Sequence, residues 1–123
     1  MAGAITAAGG QPVILAVADD QASTAQLEAL FTEQREAEWA EFIGDCGKYE
    51  AELAGEVAKG KLTLAEFDEE EQSLERLCRW YRAIRARDLF GAPSASAAEG
   101  RLKGCAEALE EFADQVYQAR ERP

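Results

Sequence analysis

The sequence predicts an all-α protein, an antiparallel three-helix bundle preceded by one short β-strand. Three observations carry that prediction. Apolar residues recur at intervals of three and four through three long segments, the spacing that lines one face of an α-helix. Thr63 to Glu66 and Ser96 to Glu99 have the Ser/Thr-x-x-Glu form of a capping box, which marks a helix start. Gly60, and Gly91 with Pro93, stand where the helices between them must stop.

Taken in order, Val13-Ile14-Leu15-Ala16-Val17 is an apolar run bounded by Gly9-Gly10 and Asp19-Asp20 and reads as one buried strand. Nothing later resembles a second strand, so its ladder groups need a partner from elsewhere. Residues 1–22 are therefore expected to be a flexible start carrying this strand, the remnant of a sheet, and residues 23–123 a single helical domain. The first helix starts at Ser23 or Thr24 and runs to about Lys59, with Leu27, Phe31, Phe42, Cys46, Tyr49, Leu53 and Val57 as its stripe and Arg35 filling a gap on that face. Gly44, Gly47 and Gly55 each weaken it by up to about 1 kcal/mol relative to alanine, which favours a bend near Gly44 to Gly47. The second helix presents Phe67, Leu74, Leu77, Tyr81 and Ile84, and the third Leu102, Cys105, Leu109, Phe112 and Val116. Short turns force neighbouring helices antiparallel. Trp39, Trp80 and Phe90 fall at or beyond the stripe edges, as core or dimer contacts.

Composition narrows function. The 123 residues hold 24 Asp plus Glu against 13 Lys plus Arg, a net charge of -11, with no histidine. That length supports one core and no second one. Without histidine there is no Ser-His-Asp or Cys-His constellation and no imidazole proton shuttle. Glu38, Glu41 and Glu52 offer carboxylates, but a bundle metal site without histidine is disfavoured, so neither metal nor cofactor is expected. The acidic balance repels a phosphate backbone, and direct DNA binding by this chain alone is not expected. Three cysteines at long spacings, Cys46, Cys78 and Cys105, suit neither a disulfide scaffold nor a metal site and fit a reducing cytoplasm. No Lys or Arg precedes the apolar run at 13–18 and Pro12 interrupts its start, which argues against a secretory leader. No apolar stretch approaches the roughly 20 residues of a membrane span.

Five arginines, Arg76, Arg79, Arg82, Arg85 and Arg87, crowd the second helix. Two readings compete. In one they are solvated, pairing with the acidic residues from Glu66 to Glu75 and complementing the helix dipole. In the other, Arg79, Arg82, Arg85 and Arg87 bind a tetrahedral oxyanion, which guanidinium forks suit. Asp88 continues the apolar face of the second helix as Arg35 does that of the first, and an antiparallel hairpin sets them side by side. An Arg35–Asp88 ion pair between the helices is expected, fixing register. Cys46 and Cys105 lie on apolar stripes and read as core. Cys78, beside Arg79 and Arg82, is the one thiol placed for redox chemistry.

The stretch Leu74-Glu75-Arg76-Leu77-Cys78-Arg79-Trp80-Tyr81-Arg82-Ala83-Ile84-Arg85-Ala86-Arg87-Asp88-Leu89-Phe90-Gly91-Ala92 resembles a segment of the N-terminal domain of ChrB-type chromate-resistance proteins. Its most specific part is Ile84-Arg85-Ala86-Arg87-Asp88. Gly9-Gly10 before the Val13 run, Gln34-Arg35-Glu36 before Trp39-Ala40-Glu41-Phe42, Lys61 to Glu66, and Cys105 to Phe112 are similar to that family in the same order. The likeness spans Gly9 to Tyr117. It implies a bacterial cytoplasmic protein of chromate resistance, in a family regarded as chromate-responsive transcriptional regulators, and its matching positions are Arg35, Lys61, Arg79, Arg85, Arg87 and Asp88. Family members normally carry an earlier segment and often a further C-terminal domain, so a chain truncated at its start is expected. The expectation is a non-enzymatic regulatory or sensor module that forms a homodimer and takes chromate or another oxyanion as partner, with no membrane contact. Two rivals stand beside it, a purely structural dimerisation or adaptor module and thiol-dependent chromate reduction through Cys78.

Overall fold

A computed structural model of the chain describes residues 21–121. They form α1 (Gln21–Ala58), α2 (Leu64–Arg87) and α3 (Ala95–Glu121), the three-helix bundle that the periodicity predicts. The strand expected at residues 13–17 lies outside the described residues. Trp39 meets Asp88 while Tyr49 meets Glu70, so α2 runs antiparallel to α1. Glu36 meets Ser94 while Cys46 meets Cys105, so α3 runs parallel to α1.

The helix ends follow from local chemistry at three of the four inner boundaries. Gly60 and Gly91 adopt φ of +73° and +68°, a left-handed turn that a Cβ resists. After α1, Lys61 N–H reaches back to the Glu56 carbonyl at 2.9 Å and Gly60 N–H to Val57 at 3.0 Å, the closure of a Schellman motif. Before α2, the Thr63 hydroxyl accepts the Glu66 N–H at 3.1 Å, as its capping box predicts. The second capping box is a correction. α3 begins at Ala95, ahead of Ser96, because the Glu36 carboxylate of α1 takes both the N–H and the hydroxyl of Ser94.

The core repeats at alternating three and four residues, the spacing of helices packed side by side. α1 buries Trp39, Phe42, Cys46, Tyr49 and Leu53, and α3 buries Ala98, Cys105, Leu109, Phe112 and Val116. α2 adds Leu77 and Ile84. The α1–α2 seam is aromatic, with Phe42 edge-on to Trp80 at 5.3 Å and tilted against Tyr81 at 5.8 Å. Such pairs add about 0.5–1.5 kcal/mol beyond the area they bury. Two expectations for α1 need correcting. Trp39, placed at a stripe edge by the sequence, is fully buried, because α1 turns the Arg35, Trp39, Phe42 row toward its neighbours. Leu27 and Val57, placed on the stripe, are 67% and 37% exposed. For Leu27 the reason is length: α1 has 38 residues against 24 and 27 in α2 and α3, so among the described residues its first turns have no helix to pack on.

Among the described residues, one charged side chain is buried. Glu70 is 1% exposed, and its backbone carbonyl accepts the Tyr49 hydroxyl at 2.9 Å. As a carboxylate it finds no donor for Oε1. As a carboxylic acid it shares a hydrogen bond with the Glu52 carboxyl. Burial first, then that hydrogen bond and the negative charges of Glu52, Glu56 and Glu66, push its pKa up to about 8. Between the ordinary carboxylate range and that value, the folded chain keeps a proton that the unfolded chain releases. Stability therefore falls as pH rises through this window, by up to about 1.4 kcal/mol per unit, and the loss is complete above it. Urea unfolding of the wild type and Glu70→Gln between pH 5 and 9 should show the variant gaining steadily on the wild type. A difference that does not change with pH would refute a protonated Glu70.

Candidate functional site

Of the residues singled out in the sequence, Arg35, Glu38, Arg87 and Asp88 gather at the corner between α2 and α3. Asp88 is the C-cap of α2, its own N–H returned to the Arg85 carbonyl at 3.2 Å. Its carboxylate accepts the Ala92 N–H at 2.8 Å on Oδ1 and 3.0 Å on Oδ2, and Oδ2 also accepts the Trp39 indole N–H at 3.1 Å. One turn earlier on α1, the Glu36 carboxylate accepts the Ser94 N–H at 2.7 Å and its hydroxyl at 2.8 Å. Between them Glu38 takes Arg87 on one oxygen and lies 2.7 Å from Arg35 Nε on the other. The α1 segment 36–39 thus grips the corner at three places.

The Arg35–Asp88 pair expected from the hairpin register does not form. The register itself holds, since Asp88 lies opposite Trp39, one turn from Arg35. Glu38 stands three residues from Arg35 on the same helix face, where a salt bridge needs no crossing between helices. The Arg35 guanidinium also lies 4.8 Å over the Phe31 ring, a cation–π contact. The Arg35 Nε and Glu38 Oε1 approach is a close charge contact without the alignment of a hydrogen bond. Asp88 meanwhile satisfies neutral N–H donors, which sequence spacing alone does not reveal.

The four arginines assigned to an oxyanion site separate. Arg79 and Arg82 are exposed, and among the described residues neither has an ion-pair or side-chain hydrogen-bond partner. Arg85 continues their ridge and donates to the Tyr81 hydroxyl at 2.9 Å. Arg87 turns to α1 and is held by Glu38. Arg76, outside the four, donates to Ser73 at 2.9 Å. The arrangement leaves an open ridge of three guanidinium groups on α2, with a fourth committed to the corner.

Cys78 is a half-buried free thiol on the flank of α2. Cys46 and Cys105 are buried where α1 and α3 meet, and the Cys105 thiol donates to the Cys46 carbonyl at 3.4 Å. Burial raises the Cys46 pKa, and burial with the neighbouring Cys46 raises that of Cys105 to about 12. Both are therefore poor nucleophiles. Among the described residues, no three His, Cys, Asp or Glu side chains are placed to hold a metal ion, and no helix is long and apolar enough to cross a membrane.

These features define a small all-helical domain, its corner tied by side chains of α1 and its second helix lined outside with arginine. Residues 1–123 match the model of the family described as Protein ChrB, N-terminal. The chain belongs to this family, as the Ile84 to Asp88 block indicates, and is thus a chromate-resistance-related protein. No curated protein and no solved structure matches it.

Replacing Asp88 by Ala removes the acceptor for two N–H groups at a partly buried site. It should destabilise the bundle by about 2–4 kcal/mol, whereas Asp88→Asn, which keeps an acceptor, should lose about half as much or less. Chemical denaturation of the two variants checks this, and a loss under about 0.5 kcal/mol in Asp88→Ala would contradict the corner's structural role.

Proposed function

We propose that this domain is a non-enzymatic regulatory module of chromate resistance, working in a bacterial cytoplasm, that senses a tetrahedral oxyanion on the outer ridge of α2. The observation that carries this reading is the state of Arg79 and Arg82. They are exposed on a chain of net charge -11, and their guanidinium groups are committed to no partner among the described residues. Arg85 extends the ridge with an uncharged partner only. Three adjacent forks can share a doubly charged oxyanion through charge-assisted hydrogen bonds. Arg87 supports the ridge indirectly, by tying the end of α2 to α1 through Glu38. The non-enzymatic part of the reading rests on the absence of histidine from the sequence and on polar groups of the corner that are occupied in holding α1, α2 and α3 together.

The module is read as a homodimer. Val57, Leu64 and Tyr117 are exposed at the end of the bundle where α1 stops, α2 starts and α3 stops, and they offer an apolar face for a second copy. In this reading DNA contact belongs to other parts of the regulatory system, because the chain's negative charge opposes it. Light scattering should show a dimer that Leu64→Glu weakens; a strict monomer at all accessible concentrations would remove this part of the proposal.

Calorimetric titration with chromate, and separately with sulfate, tests the sensing role. Chromate should bind more tightly than sulfate, weaken with added salt, and bind at least about tenfold more weakly to Arg79→Ala and Arg82→Ala, the loss of roughly one charge-assisted contact. No heat with either anion would overturn the proposal.

A further inference from the structure

We infer that the uncovered first turns of α1 are the seat of the chain's own apolar run, Val13 to Val17. Residues 21–30 of α1 are exposed throughout, including Leu27 at 67% and Leu30 at 57%. At this end of the bundle Phe31 meets Phe90 edge-on, 5.6 Å apart, with Leu89 exposed beside it at 72%. Among the described residues, the part of α1 before Phe31 has no helix to pack against. A solitary helix of three turns is marginal in water, so a well-formed helix with two exposed leucines here calls for a cover.

Charge and reach select the cover. The chain carries 30% charged residues, yet residues 1–18 contain none and residues 21–32 only Glu28. An uncharged apolar run and a helix start with a single charge are thus adjacent in a chain that is otherwise rich in acidic residues. The tether between them is Ala18, Asp19 and Asp20, about 10 Å when extended. Five extended residues span about 17 Å, and the ten residues of helix from 21 to 30 rise about 15 Å. Doubled back along α1, the run from Val17 to Val13 therefore reaches the level of both Leu27 and Leu30.

A second copy fits this place less well. A stable interface between proteins needs about 800 Å² from each partner, and one face of three helical turns, a half-cylinder about 10 Å wide and 15 Å long, offers a few hundred. A segment tethered by three residues needs no such area, because a short linker presents it at an effective concentration of about millimolar.

Amide hydrogen exchange of the full chain, followed residue by residue, tests this. In the wild type, exchange of residues 25–32 should be slowed about tenfold or more relative to a freely fraying helix end, to the same extent across a wide dilution series. Leu15→Asp should abolish that slowing and leave Phe42 to Leu53 protected, which shows in the same experiment that the bundle is intact. Exchange at the freely fraying rate in the wild type would overturn the proposal. Slowing that persists in Leu15→Asp, or that disappears on dilution, would overturn it in favour of another cover, a second copy in the latter case.

Discussion

The bundle depends on one carboxylate. Asp88 joins the three helices at a single point: it ends α2, it accepts the Ala92 N–H that leads into α3, and it accepts the indole N–H of Trp39 from α1. A carboxylate can serve several donors at once, and no apolar residue could do the same. Its position also explains why Trp39, a large side chain with one polar atom, is fully buried. The indole needs an acceptor when it leaves water, and Asp88 supplies it. From that fixed point the aromatic seam of Phe42, Trp80 and Tyr81 follows along α1 and α2.

Much of the fold was legible because its determinants are local. Gly60 and Thr63 set the α1–α2 turn through bonds that reach no more than five residues, so the pattern in the chain is the structure. The start of α3 was not legible, since the group that caps it comes from Glu36, 58 residues away. The phase of α1 was legible, since Phe42, Cys46, Tyr49 and Leu53 of the expected stripe are buried, but the reach of its buried stripe was not. Leu27 extends the apolar spacing, but burial also requires a neighbour, and the shorter length of α2 and α3 is a property of the whole bundle.

The candidate site shows the same division. The register of the hairpin, and hence the meeting of the Arg35 and Asp88 regions, could be read from the turn. The partners could not, because Glu38 offers Arg35 a nearer carboxylate and backbone N–H groups carry no sequence signature. Glu70 was missed although a signal existed. Phe67, Glu70, Leu74, Leu77, Tyr81, Ile84 and Asp88 form one unbroken row at alternating three and four, with one acidic residue three places from its start and another at its very end. A charge run at 68–71 reads as a solvated face, and only packing distinguishes the one member that points inward.

The grip of α1 on the corner has a consequence for how the chain acquires its structure. The contacts from Glu36, Glu38 and Trp39 to Ser94, Arg87 and Asp88 span 58, 49 and 49 residues, so each closes a long loop. Closing such loops is entropically unfavourable until several contacts form together. The first turn of α3 borrows its cap from α1, so a hairpin of α2 and α3 alone lacks the groups that shape its own bend. The three helices therefore belong to one cooperative folding unit, in which the corner forms only when all three are in place.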